Sequence, residues 1–338
     1  KIFLELFDSQ QTNGLEKVSL IHQAIPEVNL DEIDISCSWL GKKLSAPLLI
    51  NAITGGAKNT DKINASLARI AKKNGLAMAV GSQTAAIKDK TVIETFKIAR
   101  KENPDGILLA NINALAPYQH VLEAIEMIEA DGIQLHLNVL QELIMPEGDR
   151  KFNGVLDNIS FIQEHSPVPV IVKEVGFGLS KEAVQKLYKI GVSYIDIGGY
   201  GGTNFATIES IRNSSPRGQA FSTWGIPTAA NLLEVMSLQK PIHVTATGGI
   251  KSGIEVCKAL RLGANIVGIA GFFLYYLLKK NEEELSKAVD NIIYDLKIAL
   301  LLGGARNLSQ VKQIPVVLSG ELINWVKQRK IDIELLGC

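Results

Sequence analysis

The chain has 338 residues, 46% of them hydrophobic, and its 35 basic and 35 acidic side chains cancel to zero net charge. That apolar content suffices for a large core, and the balanced charge argues against bulk attraction to nucleic acid or an anionic membrane. Cys37, Cys257 and Cys338 are widely spaced with no CxxC pair, which argues against a disulfide framework or zinc ribbon and fits a reducing, cytoplasmic setting.

Residues 1–46 carry strand-like pieces at 18–21 and 33–35 and are expected to form an N-terminal extension that packs beside the barrel or closes its floor. From residue 47 the pattern alternates. Short apolar runs at 48–52, 77–80, 107–111, 133–137, 170–173, 194–197, 243–246 and 266–269 each lead into a polar or Gly-rich loop and then, in most cases, a helical pattern. Continuous apolar runs suit parallel strands covered on both sides. Between them, Ile63, Leu67, Ile70 and Ala71 share a helix face, as do Val121, Ile125 and Ile128, and Ala183, Leu187 and Ile190 after the N-cap Ser180. Gly75, Gly132, Gly191 and Gly263 each precede a strand, where helix C-caps are expected. Eight such units predict a TIM (β/α)₈ barrel over 47–338, with further helices at its C-terminal end. An open doubly wound sheet is the alternative, but no GxGxxG follows the first strand. The longest apolar stretch, near 266–278, holds two glycines and falls short of the ~20 residues a membrane span needs.

Barrels of this kind place their chemistry at the C-terminal strand ends. Gly248-Gly249 after the seventh strand and Ala270-Gly271 after the eighth suit a phosphate, because glycine lets backbone N–H groups approach closely and a following helix adds its positive end. Tight turns alone would explain either pair; two pairs in these two places favour the phosphate. On the fourth strand, period-two alternation sends Gln134, His136 and Asn138 into the barrel and Leu135 and Leu137 toward the helices. A lone buried histidine is more often a satisfied core group, but this one shares its face with two amides at the catalytic end. Beyond it, Gln141-Glu142 and the acidic loop at 145–150 could hold Mg²⁺ against a diphosphate, or be merely solvated. Lys173 ends the fifth strand, where it could be a Schiff-base nucleophile, a cation beside a cofactor or an ion-pair partner. The four glycines of 198–204 suggest backbone lying against a flat or phosphorylated ligand.

The segments APLLINAITGG (46–56), AVGSQ (79–83), QLHLNVLQELIMPEGDR (134–150), VPVIVKEVGFG (168–178) and DIGGYGGTNF (196–205) resemble the type 2, flavin-dependent isopentenyl-diphosphate Δ-isomerases. The resemblance runs from about Gly14 to the end of the barrel. It implies FMN as prosthetic group, Mg²⁺ on the substrate diphosphate, NADPH as a flavin reductant, conversion of isopentenyl diphosphate to dimethylallyl diphosphate, and a homo-oligomer, to which exposed aromatics among Phe272 to Tyr276 could contribute. By analogy, Ala52, Ile53, Thr54, Ser82, Asn111, Lys173 and Thr203 should contact FMN, and Gly248, Gly249, Ile250, Ala270 and Gly271 should hold its phosphate. His136, Asn138 and Gln141 should face the substrate, and Glu142 should ligate the metal. The family also carries a basic RKxxH-type stretch that clamps the diphosphate. Alignment through Gly14-Leu15 places that stretch immediately before Lys1, so an arm absent from this sequence is expected.

Three rivals share the fold class. FMN-dependent 2-hydroxy-acid oxidases or dehydrogenases resemble one another in a His followed by Gly-Gly-Arg, where this chain has Tyr200-Gly201-Gly202-Thr203. An inosine-monophosphate-dehydrogenase-like enzyme would need a cysteine in the loop after the sixth strand, and none lies between Cys37 and Cys257. A non-catalytic flavin-binding barrel would bind FMN and no diphosphate.

Overall fold

The computed structural model describes residues 12–57, 59–214, 216–334 and 337; Cys338 lies outside them. In chain order the strands are β1 (Val18–Leu20), β2 (Cys37–Trp39), β3 (Lys42–Leu44), β4 (Leu48–Ile50), β5 (Ala77–Ala79), β6 (Leu108–Asn113), β7 (Gly132–Leu137), β8 (Val170–Glu174), β9 (Tyr194–Asp196), β10 (His243–Thr247), β11 (Ile266–Ile269) and β12 (Val316–Leu318). Strands β4 to β11 close into an eight-stranded parallel barrel, β11 pairing with β4. These are the eight strands expected from the apolar runs, with ends that differ by at most two residues.

Alternation along each strand builds two separate apolar regions. Outward side chains such as Leu135, Val172 and Ile195 join Leu67, Ile70, Val184 and Leu187 of the surrounding helices in the main core. Inward side chains at the N-terminal end, Leu49, Ala77, Leu109, Ile171 and Ile266, form a second cluster. Trp39 and Leu44 of the antiparallel β2–β3 hairpin pack into that cluster and close the barrel floor. Two residues beyond Leu49, Leu109, Ile171 and Tyr194 the inward positions turn polar: Asn51, Asn111, Lys173 and Asp196. The period of two therefore stacks a polar layer on an apolar floor.

Several expectations are corrected. The piece at 33–35 is no strand. Ile33 and Ile35 are buried, but Asp34 makes only an isolated bridge to Asn307. The hairpin lies just after it, turned by Leu40 and Gly41 with φ of 48° and 77°, the two positive angles a type I′ turn needs. Gly75, Gly191 and Gly263 do adopt positive φ after helices, but Gly132 does not: it is the first residue of β7. Glu129 takes the left-handed position there instead, with φ 49°. Gly132 is small for packing, since a Cβ would lie 3.0 Å from Leu109 Cδ2. The aromatics of helix Gly271–Lys279 are not exposed: Phe273 is buried, and Phe272, Tyr275 and Tyr276 are half-buried because that helix belongs to the outer layer of the barrel and packs on helix Glu282–Leu302.

The C-terminal segment, indistinct in sequence, folds back as β12 against β1 and as helix Gly320–Gln328. Glu234, 1% exposed, binds this segment by accepting from Trp325 Nε1 at 2.9 Å and Arg329 Nε at 2.7 Å. Among the described residues no helix is long and apolar enough to cross a membrane.

Candidate active site

A cavity of about 890 Å³ opens at the C-terminal ends of the barrel strands. Its wall over β10 and β11 is almost bare backbone. Gly248 and Gly249 have φ of 118° and 75°. A Cβ on them would lie 2.0 Å from the Gly199 carbonyl oxygen and 2.1 Å from that of Gly201. No other residue fits, so glycine here serves close packing of two loops and leaves N–H groups at the surface. Thr228 Oγ1 donates to the Gly248 carbonyl at 2.8 Å and Asn13 Nδ2 to that of Gly249 at 3.0 Å, fixing the turn from behind. Next to it Ala270 caps helix Gly271–Lys279 with no side-chain hydrogen bond, so the first-turn N–H groups are free of a side-chain cap. This cradle has the shape and polarity for a phosphate monoester such as that of FMN.

The opposite wall comes from β7 and the helix Val139–Ile144. Asn138 receives a hydrogen bond on Oδ1 from Asn113 Nδ2 at 3.1 Å and donates from Nδ2 to Glu142 Oε1 at 2.8 Å. The other Glu142 oxygen accepts from the Asp149 N–H at 2.9 Å. Gln141 donates from Nε2 to Glu209 Oε1 at 3.2 Å, so its Oε1 lies on the Asn138 side. Glu209 is 4% exposed and also pairs with Arg212 at 3.1 Å. No cluster of three or more His, Cys, Asp or Glu groups able to cage a metal is present among the described residues. A single carboxylate flanked by amides fits a cation that takes most of its oxygens from a substrate and water, as Mg²⁺ does.

On β7 itself His136 stands beside Lys173 of the neighbouring β8. Lys173, 6% exposed, donates from Nζ to the Glu174 carbonyl at 2.7 Å. A buried ammonium held by one neutral oxygen favours an anion nearby. Burial, and then the Lys173 charge, lowers the His136 pKa to about 3, so this imidazole is neutral. The Glu174 carboxylate curls back onto the N–H groups of Gly176 (2.6 Å), Phe177 and Gly178 (3.1 Å). Burial still pushes its carboxyl up to about 7.

Of the residues singled out from sequence, Ala52, Ile53, Ser82, Asn111, His136, Asn138, Gln141, Glu142, Lys173, Thr203, Gly248, Gly249, Ile250, Ala270 and Gly271 line this one cavity. Thr54 stands behind it: its hydroxyl donates to Asn64 Oδ1 at 3.0 Å and its carbonyl accepts from Gly81 N–H at 2.9 Å. Glu209 and Asp196 escaped the sequence reading as site residues. Glu209 lies on helix Phe205–Arg212 with no local motif, and only its approach to Gln141 in space reveals it. Asp196 opens a recognised motif, but its role beneath the cavity depends on partners from distant strands.

The chain is similar to several known proteins. The family model described as FMN-dependent dehydrogenase matches residues 144–317. An isopentenyl-diphosphate delta-isomerase of Moorella thermoacetica is 49% identical over 323 residues, 96% of this chain and 93% of the relative. Those of Bacillus pumilus (44%; 94% of this chain, 90% of the relative) and Listeria monocytogenes (43%; 96% and 91%) are similar. Among solved structures, a mandelate oxidase variant with an FMN adduct superposes with a TM-score of 0.69 at 16% identity, covering 94% of this chain and 96% of that one, a likeness of fold. The identity and the near-complete overlap show that the chain belongs to the isopentenyl-diphosphate delta-isomerase family, built on the FMN-dependent dehydrogenase barrel.

Proposed function

We propose that this chain converts isopentenyl diphosphate to dimethylallyl diphosphate with reduced FMN, Mg²⁺ bound to the diphosphate, and NADPH as the reductant of the flavin. The observation that carries the reading is one cavity with a glycine cradle at one end and His136, Asn138, Gln141 and Glu142 at the other. In the proposal Gly248, Gly249, Ile250, Ala270 and Gly271 hold the FMN phosphate. Ala52, Ile53, Ser82, Asn111 and Thr203 flank the ring, with Thr54 supporting them from behind. Reduced FMN, when bound, supplies an electron-rich ring and a group able to give and take a proton.

The isomerisation adds a proton to the terminal alkene carbon and removes one from the allylic carbon, with no net redox change. Lys173 neutralises the anionic flavin and so favours that form. Glu142 would hold the metal, whose charge would neutralise the diphosphate and so help place the alkene. Gln141 has no useful acidity of its own. With its N–H end tied to Glu209, it orients the reacting end of the substrate and presents a carbonyl oxygen. We also propose that the protein works as a homo-oligomer.

A 2-hydroxy-acid oxidase is the nearest rival, since the fold is shared. Its carboxylate substrate calls for a bidentate arginine, and among the described residues lining the cavity there is none. The reading is tested by offering FMN-loaded protein isopentenyl diphosphate and, separately, a panel of 2-hydroxy acids. Turnover of the diphosphate alone is expected; flavin reduction by a hydroxy acid would replace the reading with the rival.

A further inference from the structure

Beneath the cavity a chain of side-chain hydrogen bonds crosses the barrel. Asp196 Oδ2 accepts from Asn51 Nδ2 at 2.7 Å. Asn51 Oδ1 accepts from Gln134 Nε2 at 2.9 Å and from the Ala52 N–H at 2.8 Å. Gln134 Oε1 accepts from Asn111 Nδ2 at 2.8 Å, and Asn111 Oδ1 lies 2.8 Å from His136 Nδ1. Thr247 Oγ1 and the Gly198 N–H also donate to Asp196.

The chemistry of one end sets the sense of the whole chain. A carboxylate only accepts, so Asn51 must turn its amide nitrogen to Asp196 and its oxygen to Gln134. The Ala52 N–H holds that same oxygen. Gln134 must then donate to Asn51 and accept from Asn111, which leaves Asn111 with only an oxygen to offer His136. Gln134 and Asp196 are fully buried, and Asn51 and Asn111 nearly so, which leaves little access for water to relieve a reversed amide. We infer that Asp196, Asn51 and Gln134 are positioning residues that, through Asn111, hold His136 in its Nδ1–H tautomer and present a bare Nε2 to the bound ligand.

A free imidazole slightly favours the opposite tautomer, so the chain imposes this one. The low basicity of the buried ring keeps it neutral. Nε2 then accepts rather than donates. It meets a diphosphate oxygen only through a bridging or metal-bound water, and it repels a bare anion that lacks one. This consequence for turnover rests on the isomerase reading; the tautomer itself does not.

Long-range nitrogen–proton NMR of histidine-labelled, FMN-loaded protein reads the tautomer directly, with His136→Gln supplying the assignment. The expected result is a proton on Nδ1 in the unmodified protein. Gln134→Leu should shift the population toward Nε2–H and lower kcat/KM for isopentenyl diphosphate by about tenfold. Gln134→Glu should keep the Nδ1 proton, because a buried neutral acid can donate to Asn51 and still accept from Asn111. An Nε2 proton in the unmodified protein, or a Gln134→Leu spectrum unchanged from it, overturns the inference. Should Gln134→Leu fail to retain FMN, the spectra of the unmodified protein and of Gln134→Glu decide alone. The expected tautomers with no isomerisation at all would leave the positioning role standing and remove the isomerase reading.

Discussion

Lys173 and Glu174 are adjacent in sequence and serve opposite ends of the local electrostatics. Lys173 places a buried positive charge at the cavity with a single carbonyl partner at 2.7 Å. Loss of a hydrogen bond to a charged group costs about 1.5–3 kcal/mol, so Lys173→Met should weaken FMN binding roughly 10- to 100-fold in a fluorescence titration. Unchanged affinity would remove Lys173 from the flavin. Burial pushes the Glu174 carboxyl from 4.5 up to about 7, against the pull of its three N–H donors and Lys173. Its folded pKa lies above the unfolded one, so the folded state holds the extra proton between those values. Stability should therefore fall as pH rises from about 4.5 to about 7 and level off above. Glu174→Gln should remove this slope, on the order of 3 kcal/mol, as read from urea midpoints across that range. A constant difference between variant and parent would show an ordinary carboxyl. At this scale the sequence reading reached the residues that stand on strand ends, such as His136 and Lys173, because parity fixes their direction. It missed Glu209, whose significance depends wholly on a neighbour 68 positions away.

In the glycine-rich loops, packing explains the residue type that position in the barrel had singled out. Gly248-Gly249 suggests a phosphate site from position alone, and the reason only glycine fits there is the opposing loop at Gly199 and Gly201. Gly249→Ala should thus both strain a φ of 75° and force the loops apart, lowering the thermal midpoint and abolishing tight FMN binding. Gly154 has a comparable φ of 82° with nothing within 4 Å of an added Cβ. Gly154→Ala should cost about 1 kcal/mol and leave FMN affinity unchanged. Equal effects of the two on FMN would argue that the cradle is only a turn. The barrel strands were readable because runs buried on both faces are apolar throughout. The β2–β3 hairpin was not, since Lys42, Lys43 and Ser38 face solvent and hide the alternation, while the buried apolar pair Ile33 and Ile35 imitates a strand without a partner strand.

Across the whole molecule, stability and chemistry are divided between the two ends of the barrel. Trp39, 4% exposed, seals the floor with Leu49, Leu109 and Ile171, one layer below the polar chain that reaches His136. Trp39→Ala should cost roughly 3–5 kcal/mol in denaturant unfolding while the folded fraction keeps its FMN affinity. Loss of FMN at full stability would show that floor and mouth are not separable. On the isomerase reading the cavity adds and removes a proton on one substrate without net oxidation. The most direct measurement is an anaerobic incubation of the FMN-loaded, reduced protein with isopentenyl diphosphate and Mg²⁺ in D₂O, followed by proton NMR. The expected product is dimethylallyl diphosphate carrying deuterium, formed only while the flavin is reduced. FMN bound and reduced with the substrate unchanged would contradict this reading.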